Sequence, residues 1–289
     1  METHILVTGA TGNVGLPAVR ELVSRGVKVR ALTRDPTRAG KLRLSGVEVI
    51  PGDLGRPVSV NNAIRDISHV LLISPVDNRM VEMQEAVVDA ARRAGVKHVV
   101  KLSVLGAAAD SPVAMFRRHR EIEEQLERSG LAWTHLRSAF FMQNTLGFGP
   151  TIRSQGAFFA CMKRGRSAMV DARDVARAAV AVLAGKGHEG KAYELTGPEA
   201  LSLHDVADRI GSVLRQQVLY VDQPPAKVIS ALLANEVPEW LAKDLVALYE
   251  YLAQGKMAQV SRDIATLTGT PAANFDRFAE DYVGQFRGM

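Results

Sequence analysis

This sequence predicts an α/β fold: a doubly wound parallel sheet joined to a small, mostly helical C-terminal subdomain. Three observations carry that reading. Short β-branched runs alternate with amphipathic stretches over roughly the first half of the chain, the pattern of strand–helix–strand units wound right-handedly about a sheet covered on both faces. The first run, "ILV", leads directly into three glycines spaced three apart and then into a helical pattern. Beyond Arg137 the alternation fades and helical patterns dominate.

The elements follow in order. Strands are predicted at residues 5–7, 28–33, 47–50, 69–73, 97–102 and 132–136, each a short apolar, β-branched run. Helices are predicted between them at 14–24, 59–66, 79–93 and 113–128. In the last of these, Met115, His119, Ile122 and Leu126 share one face by i+4, i+3 and i+4 spacing, and that face should turn toward the sheet. Further on, 171–183 reads as a helix with an acidic start and 191–195 as a strand. Residues 202–214 read as a helix in which Ser202 and Asp205 stand close to a capping box. Helical patterns at 227–234, 238–253 and 271–286 complete the chain.

Composition narrows the function classes. With 289 residues, 47% of them apolar, the chain can bury a large core. The formal charge of +5 comes from 36 Lys and Arg interspersed with 31 Asp and Glu. No basic block or basic–aromatic interleaving is present, so no nucleic-acid partner is expected. No apolar stretch reaches the roughly 18 residues of a membrane span, and residues 3–8 lack the basic flank of a signal peptide. Cys161 is the only cysteine, which excludes an internal disulfide and fits a reducing, cytoplasmic compartment. His4, His69 and His98 fall on different elements without acidic or thiol partners at ligand spacing, and no metal site is expected. The absence of G-x-S-x-G removes the hydrolase nucleophile elbow.

Gly9, Gly12 and Gly15 form a G-x-x-G-x-x-G turn between the first strand and the first helix. Such glycines permit the tight turn, the approach of backbone to a pyrophosphate and close helix–strand packing, while the helix N-terminus faces the phosphate charge. Thr11, Asn13 and Val14 belong to the same turn. About twenty residues on, a ribose-binding carboxylate would mark NAD; here Thr33 and Arg34 stand at the end of the second strand, and Arg34 suits a 2′-phosphate. NADP(H) is therefore preferred, with NAD(H) the alternative if Asp35 takes the ribose. Asp53 follows the third strand and either accepts the adenine amino group or caps its own turn. Leu54 and Ser74, at neighbouring strand ends, are expected beside the cofactor. These features define a Rossmann-type domain over 1–155, to which 171–197 return, with 156–170 and 198–289 forming a substrate-binding subdomain.

The segments "VTGATGNVG", "ALTRDP", "PGDL", "HREIEEQLERSGLAWTHLRSAFFMQN", "VDARDVARAAV", "YELTGPEALS" and "LTGTPAANFDRFAEDYVGQF" resemble the atypical, NmrA-like branch of the short-chain dehydrogenase/reductase superfamily over nearly the whole chain. That resemblance implies either an NAD(P)H-dependent quinone, azo-dye or triphenylmethane-dye reductase, or a protein that binds NADP without turnover and senses redox state. Most reductases of the superfamily use Tyr-x-x-x-Lys, in which Lys lowers the pKa of a proton-donating Tyr. That motif is absent: no tyrosine here has a lysine four residues on.

Two residues are candidates for the missing chemistry. His119 is the titratable member of the helical stripe, either a proton donor near neutral pH or a hydrogen-bonded core histidine. Related isoflavone-reductase-like proteins carry a lysine near this position. Ser103 matches the superfamily's active-site serine, orienting a carbonyl or satisfying a strand-end amide. Lys101 either reaches a ribose hydroxyl or lays its stem on the sheet with its amine at the surface. In "SAFFMQN", Phe140, Phe141, Met142 and Asn144, with Phe116 opposite, suggest a flat apolar pocket with one amide, suited to a small aromatic or quinonoid acceptor. Two roles follow. One is an NADPH-dependent oxidoreductase, the other a nucleotide-binding regulator. A homodimer is expected through the exposed faces of the helices at 79–93 and 113–128.

Overall fold

The computed structural model describes residues 3–42 and 44–288. Its strands are β1 His4–Val7, β2 Lys28–Thr33, β3 Val47–Pro51, β4 His69–Leu72, β5 His98–Val104, β6 Ala132–Ser138, β7 Ala157–Ala160, β8 Arg166–Ser167, β9 Lys191–Leu195, β10 Leu201–Ser202 and β11 Leu219–Asp222. Seven of them form one sheet in the order β3-β2-β1-β4-β5-β6-β9, every pair parallel. The order reverses between β1 and β4, and it is there that an open parallel sheet leaves a crevice for a ligand.

The helices are α1 Gly15–Ser24, α2 Pro57–Ala63, α3 Met80–Ala94, α4 Ala114–Arg128, α5 Gly149–Gln155, α6 Ala172–Ala184, α7 Leu203–Leu214, α8 Pro225–Ala234, α9 Glu239–Ala253, α10 Asp263–Thr268, α11 Phe275–Asp281 and α12 Val283–Arg287. Alternation along the strands divides the core in two. Ile5, Val7, Val29, Ala31, Leu71 and Val100 pack with α1 and α6 on one face. Leu6, Leu32, Val70, Leu72 and Val99 pack with α2, α3 and α4 on the other. Lys101 and Ser103 continue the second series, so the period of β5 turns both toward α4.

The parallel sheet with helices on both faces is the predicted fold. Three differences have physical reasons. The final helical pattern is two helices, because the chain breaks at Tyr282 (φ −108°, ψ 12°), whose ring lies 4.6 Å from that of Phe278. Asn274 caps α11 by accepting from the Arg277 amide at 2.9 Å, so Pro271 stays in the approach loop. Two two-stranded sheets, β7–β11 and β8–β10, had no pattern to announce them, since strands of two to four residues show no readable alternation. The Ser202–Asp205 capping box is present in both of its hydrogen bonds.

Candidate active site

The turn after β1 is shaped by two steric constraints. Gly9 has φ +59°, and a Cβ there would stand 2.9 Å from the Ile73 side chain. At Gly15 a Cβ would lie 2.2 Å from the Gly9 carbonyl oxygen, so α1 begins in contact with its own turn. No side chain caps α1 and its first turn holds no acidic residue. Leu16 and Ala18 already donate to the Gly12 and Val14 carbonyls at 3.1 Å and Pro17 has no N–H, which leaves the Gly15 amide at the helix start available to an anion. Above them opens a cleft of about 580 Å³ lined by Gly9, Thr11, Gly12, Arg34, Asp53, Leu54 and Ser74, together with Leu16, Lys41 and Met83. The glycine turn, the uncapped start of α1 and two cations fit a phosphorylated dinucleotide.

Some predicted cofactor residues stand elsewhere. Val14 is buried in the core at 4% exposure, Gly15 acts through packing, and Asn13 is exposed at the turn; none of the three lines the cleft. Asp53 caps its own turn, accepting from the Gly55 amide at 2.9 Å, and also lines the cleft. Lys41, which sequence reading missed, is brought into the same cleft lining as Arg34 by the short 3-10 segment after β2.

Ser74 also lines a second cavity of about 370 Å³, so the two spaces meet at the end of β4. Phe116, Phe140, Phe141, Asn144, Ser103 and His119 line it. Met142 does not: it is 1% exposed and lies in the core, correcting its predicted place in the wall. The "SAFFMQN" segment is held by Gln143, which donates to Asp171 Oδ1 at 2.8 Å and accepts from the Ala172 amide at 3.0 Å.

The opposite wall consists of Leu245, Leu248 and Tyr249 of α9, with Met257 beyond it. Asp244 fastens α9 to the start of α4, accepting from the Met115 amide and from Arg118, each at 3.3 Å. Burial pushes the Tyr249 phenol up to about 12, so it remains a hydrogen-bond donor, and among the described residues its hydroxyl has no partner. No sequence signal indicated which face of α9 would close the pocket.

Behind the wall lies a buried polar network. Ser103 Oγ donates to Glu123 Oε1 at 2.7 Å, and Glu123 also receives Arg137 Nε and Nη2 at 3.0 and 2.7 Å and Arg120 Nη1 at 3.0 Å. Burial pushes the Glu123 carboxyl up, but the Arg137 and Ser103 hydrogen bonds outweigh it and hold the group at about 2. Ser103 thus directs its proton away from the pocket and offers only lone pairs to it. Lys101 is fully buried with Nζ 2.9 Å from His119 Nδ1; its amine is neither at the surface nor free for a ribose, a correction to both expectations. Burial, opposed by Glu123 and aided by Arg137, lowers Lys101 to about 7. Burial, then Lys101, holds His119 well below the usual imidazole range. Glu123, Glu127 and His135 place ligand-type atoms within 4.8 Å of one another, but Arg120 and Arg137 already occupy those carboxylates.

Fold and site together define a dinucleotide-binding α/β protein whose cofactor cleft opens onto an apolar pocket roofed by a helix. The chain belongs to the NmrA-like family, whose model matches residues 1–272. It is 36% identical over 282 residues to the NAD(P)H azoreductase of Xenophilus azovorans, covering 98% of this chain and 99% of that protein. It is 37% identical over 285 residues to the (4-alkanoyl-5-oxo-2,5-dihydrofuran-3-yl)methyl phosphate reductase of Streptomyces griseus subsp. griseus, covering 98% and 99%. The Escherichia coli NADPH-dependent quinone oxidoreductase, solved with NADPH, superposes with a TM-score of 0.88 at 29% identity, over 96% of this chain and 99% of that one.

Proposed function

We propose that this chain is an NADPH-dependent oxidoreductase that reduces a small, flat, aromatic or quinonoid acceptor. The observation that carries this reading is the meeting of the two cavities at Ser74: a glycine-built, cation-edged cleft continuous with an aromatic pocket. When bound, the nucleotide supplies a hydride. Everything else falls to the protein. Gly9, Gly12 and the start of α1 at Gly15 hold the pyrophosphate, Arg34 and Lys41 read the 2′-phosphate, and Asp53 and Leu54 bracket the adenine end. Phe116, Phe140 and Phe141 stack the acceptor and exclude water, while Asn144 and the Tyr249 hydroxyl orient its polar atoms.

No Lys or Arg lines the acceptor pocket among the described residues. That favours an uncharged or cationic acceptor over a phosphorylated one such as the Streptomyces griseus relative reduces. Quinones and dyes are electrophilic without a strong enzymic acid, which fits the absent Tyr-x-x-x-Lys; His119, read from the sequence as a proton donor or a core histidine, lines this pocket.

The test is NADPH consumption, followed by absorbance, against quinones, azo dyes and triphenylmethane dyes. Turnover with any of them is expected. Tight NADP(H) binding with no turnover across the panel would replace this reading with the nucleotide-binding regulator. No helix is long and apolar enough to cross a membrane among the described residues, and Cys161 is a buried free thiol; both accord with a cytoplasmic enzyme. The adjacent outer faces of α3 and α4 are the homodimer contact we propose.

A further inference from the structure

We propose that Lys101 and His119 form a proton relay that serves the acceptor pocket, replacing the absent Tyr–Lys pair. The inference rests on the reductase reading above and deepens it by assigning the proton.

The argument begins with an anomaly. A fully buried lysine on a central strand requires a reason, because taking its charge out of water is costly. Among the described residues Lys101 makes no ion pair; its polar contacts are the Leu102 carbonyl at 3.4 Å and His119 Nδ1 at 2.9 Å. An ammonium has only donors, so below its titration Nδ1 must accept and the ring proton must sit on Nε2. Nε2 has no protein partner among the described residues, and the ring lines the acceptor cavity. The buried cation therefore fixes the tautomer that presents N–H to the substrate.

The proton steps balance. The His119 Nε2–H bond breaks as an O–H or N–H bond forms on the hydride-reduced acceptor. Nδ1 takes a proton from the Lys101 ammonium, leaving a neutral imidazole of the opposite tautomer and a neutral amine. Hydride and proton together convert quinone to hydroquinone, or azo to hydrazo, and release NADP⁺. When the pocket empties, water protonates Nε2 as Nδ1–H passes its proton back to the buried Lys101 amine, which restores the ammonium and the first tautomer. Burial, with Arg137 from β6 opposed by Glu123 from α4, sets Lys101 at about 7. His119 of α4 and His135, its register neighbour on β6, are the other titratable groups facing it, while Leu72 lies opposite on β4. A lysine titrating near neutrality can both give and regain a proton.

Acceptors that differ in their need for a proton test this. A cationic triphenylmethane dye becomes neutral leuco dye by hydride alone, whereas quinones and azo dyes need a proton as well. Lys101→Met should lower kcat for quinone or azo dye at least tenfold more than kcat for the triphenylmethane dye. The wild-type quinone rate should fall as pH rises through about 7, and the variant should lose that limb. Independently of turnover, ¹H–¹⁵N spectra of the cofactor-free protein should show His119 neutral with Nε2–H at pH 6, and a shift near pH 7 that Lys101→Met removes. Equal loss with both acceptor types, an unchanged pH limb, or an Nδ1–H tautomer at pH 6 overturns the relay while leaving the reductase intact. A wild-type chain that reduces no acceptor overturns the reductase reading and the relay with it.

Discussion

The cofactor cleft and the acceptor pocket share Ser74 and little else in how they are made. The cleft is built mainly from backbone: a turn whose glycines meet carbonyl and side-chain atoms at 2.2 and 2.9 Å, and the uncapped start of α1. Its residues all lie between Gly9 and Met83. The pocket is built from side chains of β5, α4, the segment after β6 and α9, spread from Ser74 to Met257. Recognition by backbone is rigid and sensitive to one methyl group. Recognition by assembled side chains is adjustable, with each contact carrying a smaller share.

Five changes probe that contrast, in falling order of effect. Gly15→Ala sets a Cβ against the Gly9 carbonyl oxygen and should weaken NADPH binding by about 3 kcal/mol, on the order of 100-fold in Kd by calorimetry; an unchanged Kd would show the turn to be soft. Glu123→Gln, behind the pocket, should cost about 2 kcal/mol in denaturant unfolding, because it breaks the charge-assisted hydrogen bonds from the half-buried Arg137 to a fully buried carboxylate. The depressed Glu123 carboxyl has a matching pH signature. Its stabilisation is complete above the unfolded value near 4.5 and is lost as pH falls through the folded value of about 2, so acid unfolding should begin in that window for the wild type and be blunted in the variant.

Arg34→Ala should cut the preference for NADPH over NADH roughly 10- to 100-fold, the range of a charge-assisted hydrogen bond, in paired kcat/KM measurements. Tyr249→Phe should raise acceptor KM a few-fold, a neutral hydrogen bond's worth of about 1 kcal/mol, and leave nucleotide affinity unaltered. Met142→Leu should change stability by less than about 1.5 kcal/mol and leave acceptor KM alone. A changed KM would return Met142 to the pocket wall.

What the sequence made legible divides along the same line. Gly9 and Gly12 could be read because a backbone turn is encoded locally, and β1 to β6 because each is a short apolar run. Arg34 could be read because its offset from the glycines is fixed by one strand–helix–strand unit. Lys41 escaped, since a 3-10 segment gives no period to count. On the acceptor side Phe116, Phe140 and Phe141 were found by their character, but Met142 was misplaced because adjacent apolar residues after a strand do not reveal which one turns inward. Tyr249 and Glu123 escaped altogether. A tyrosine on a distant helix and a glutamate one residue past an apolar stripe disclose their partners only after folding. One signal was available: Lys101 and Ser103 two apart on β5, and His119 and Glu123 four apart on α4, mark two polar faces that must meet.

The roof of the pocket comes from a single helix and its exit, secured to the rest by Asp244 and supplying no residue to the nucleotide cleft. Drift within that one stretch can reshape what is admitted while the coenzyme grip stays untouched. A duplicated copy could thus acquire a new pollutant or metabolite as its target through a handful of neighbouring codons, and grafting α9 between homologues is a direct route to retargeting.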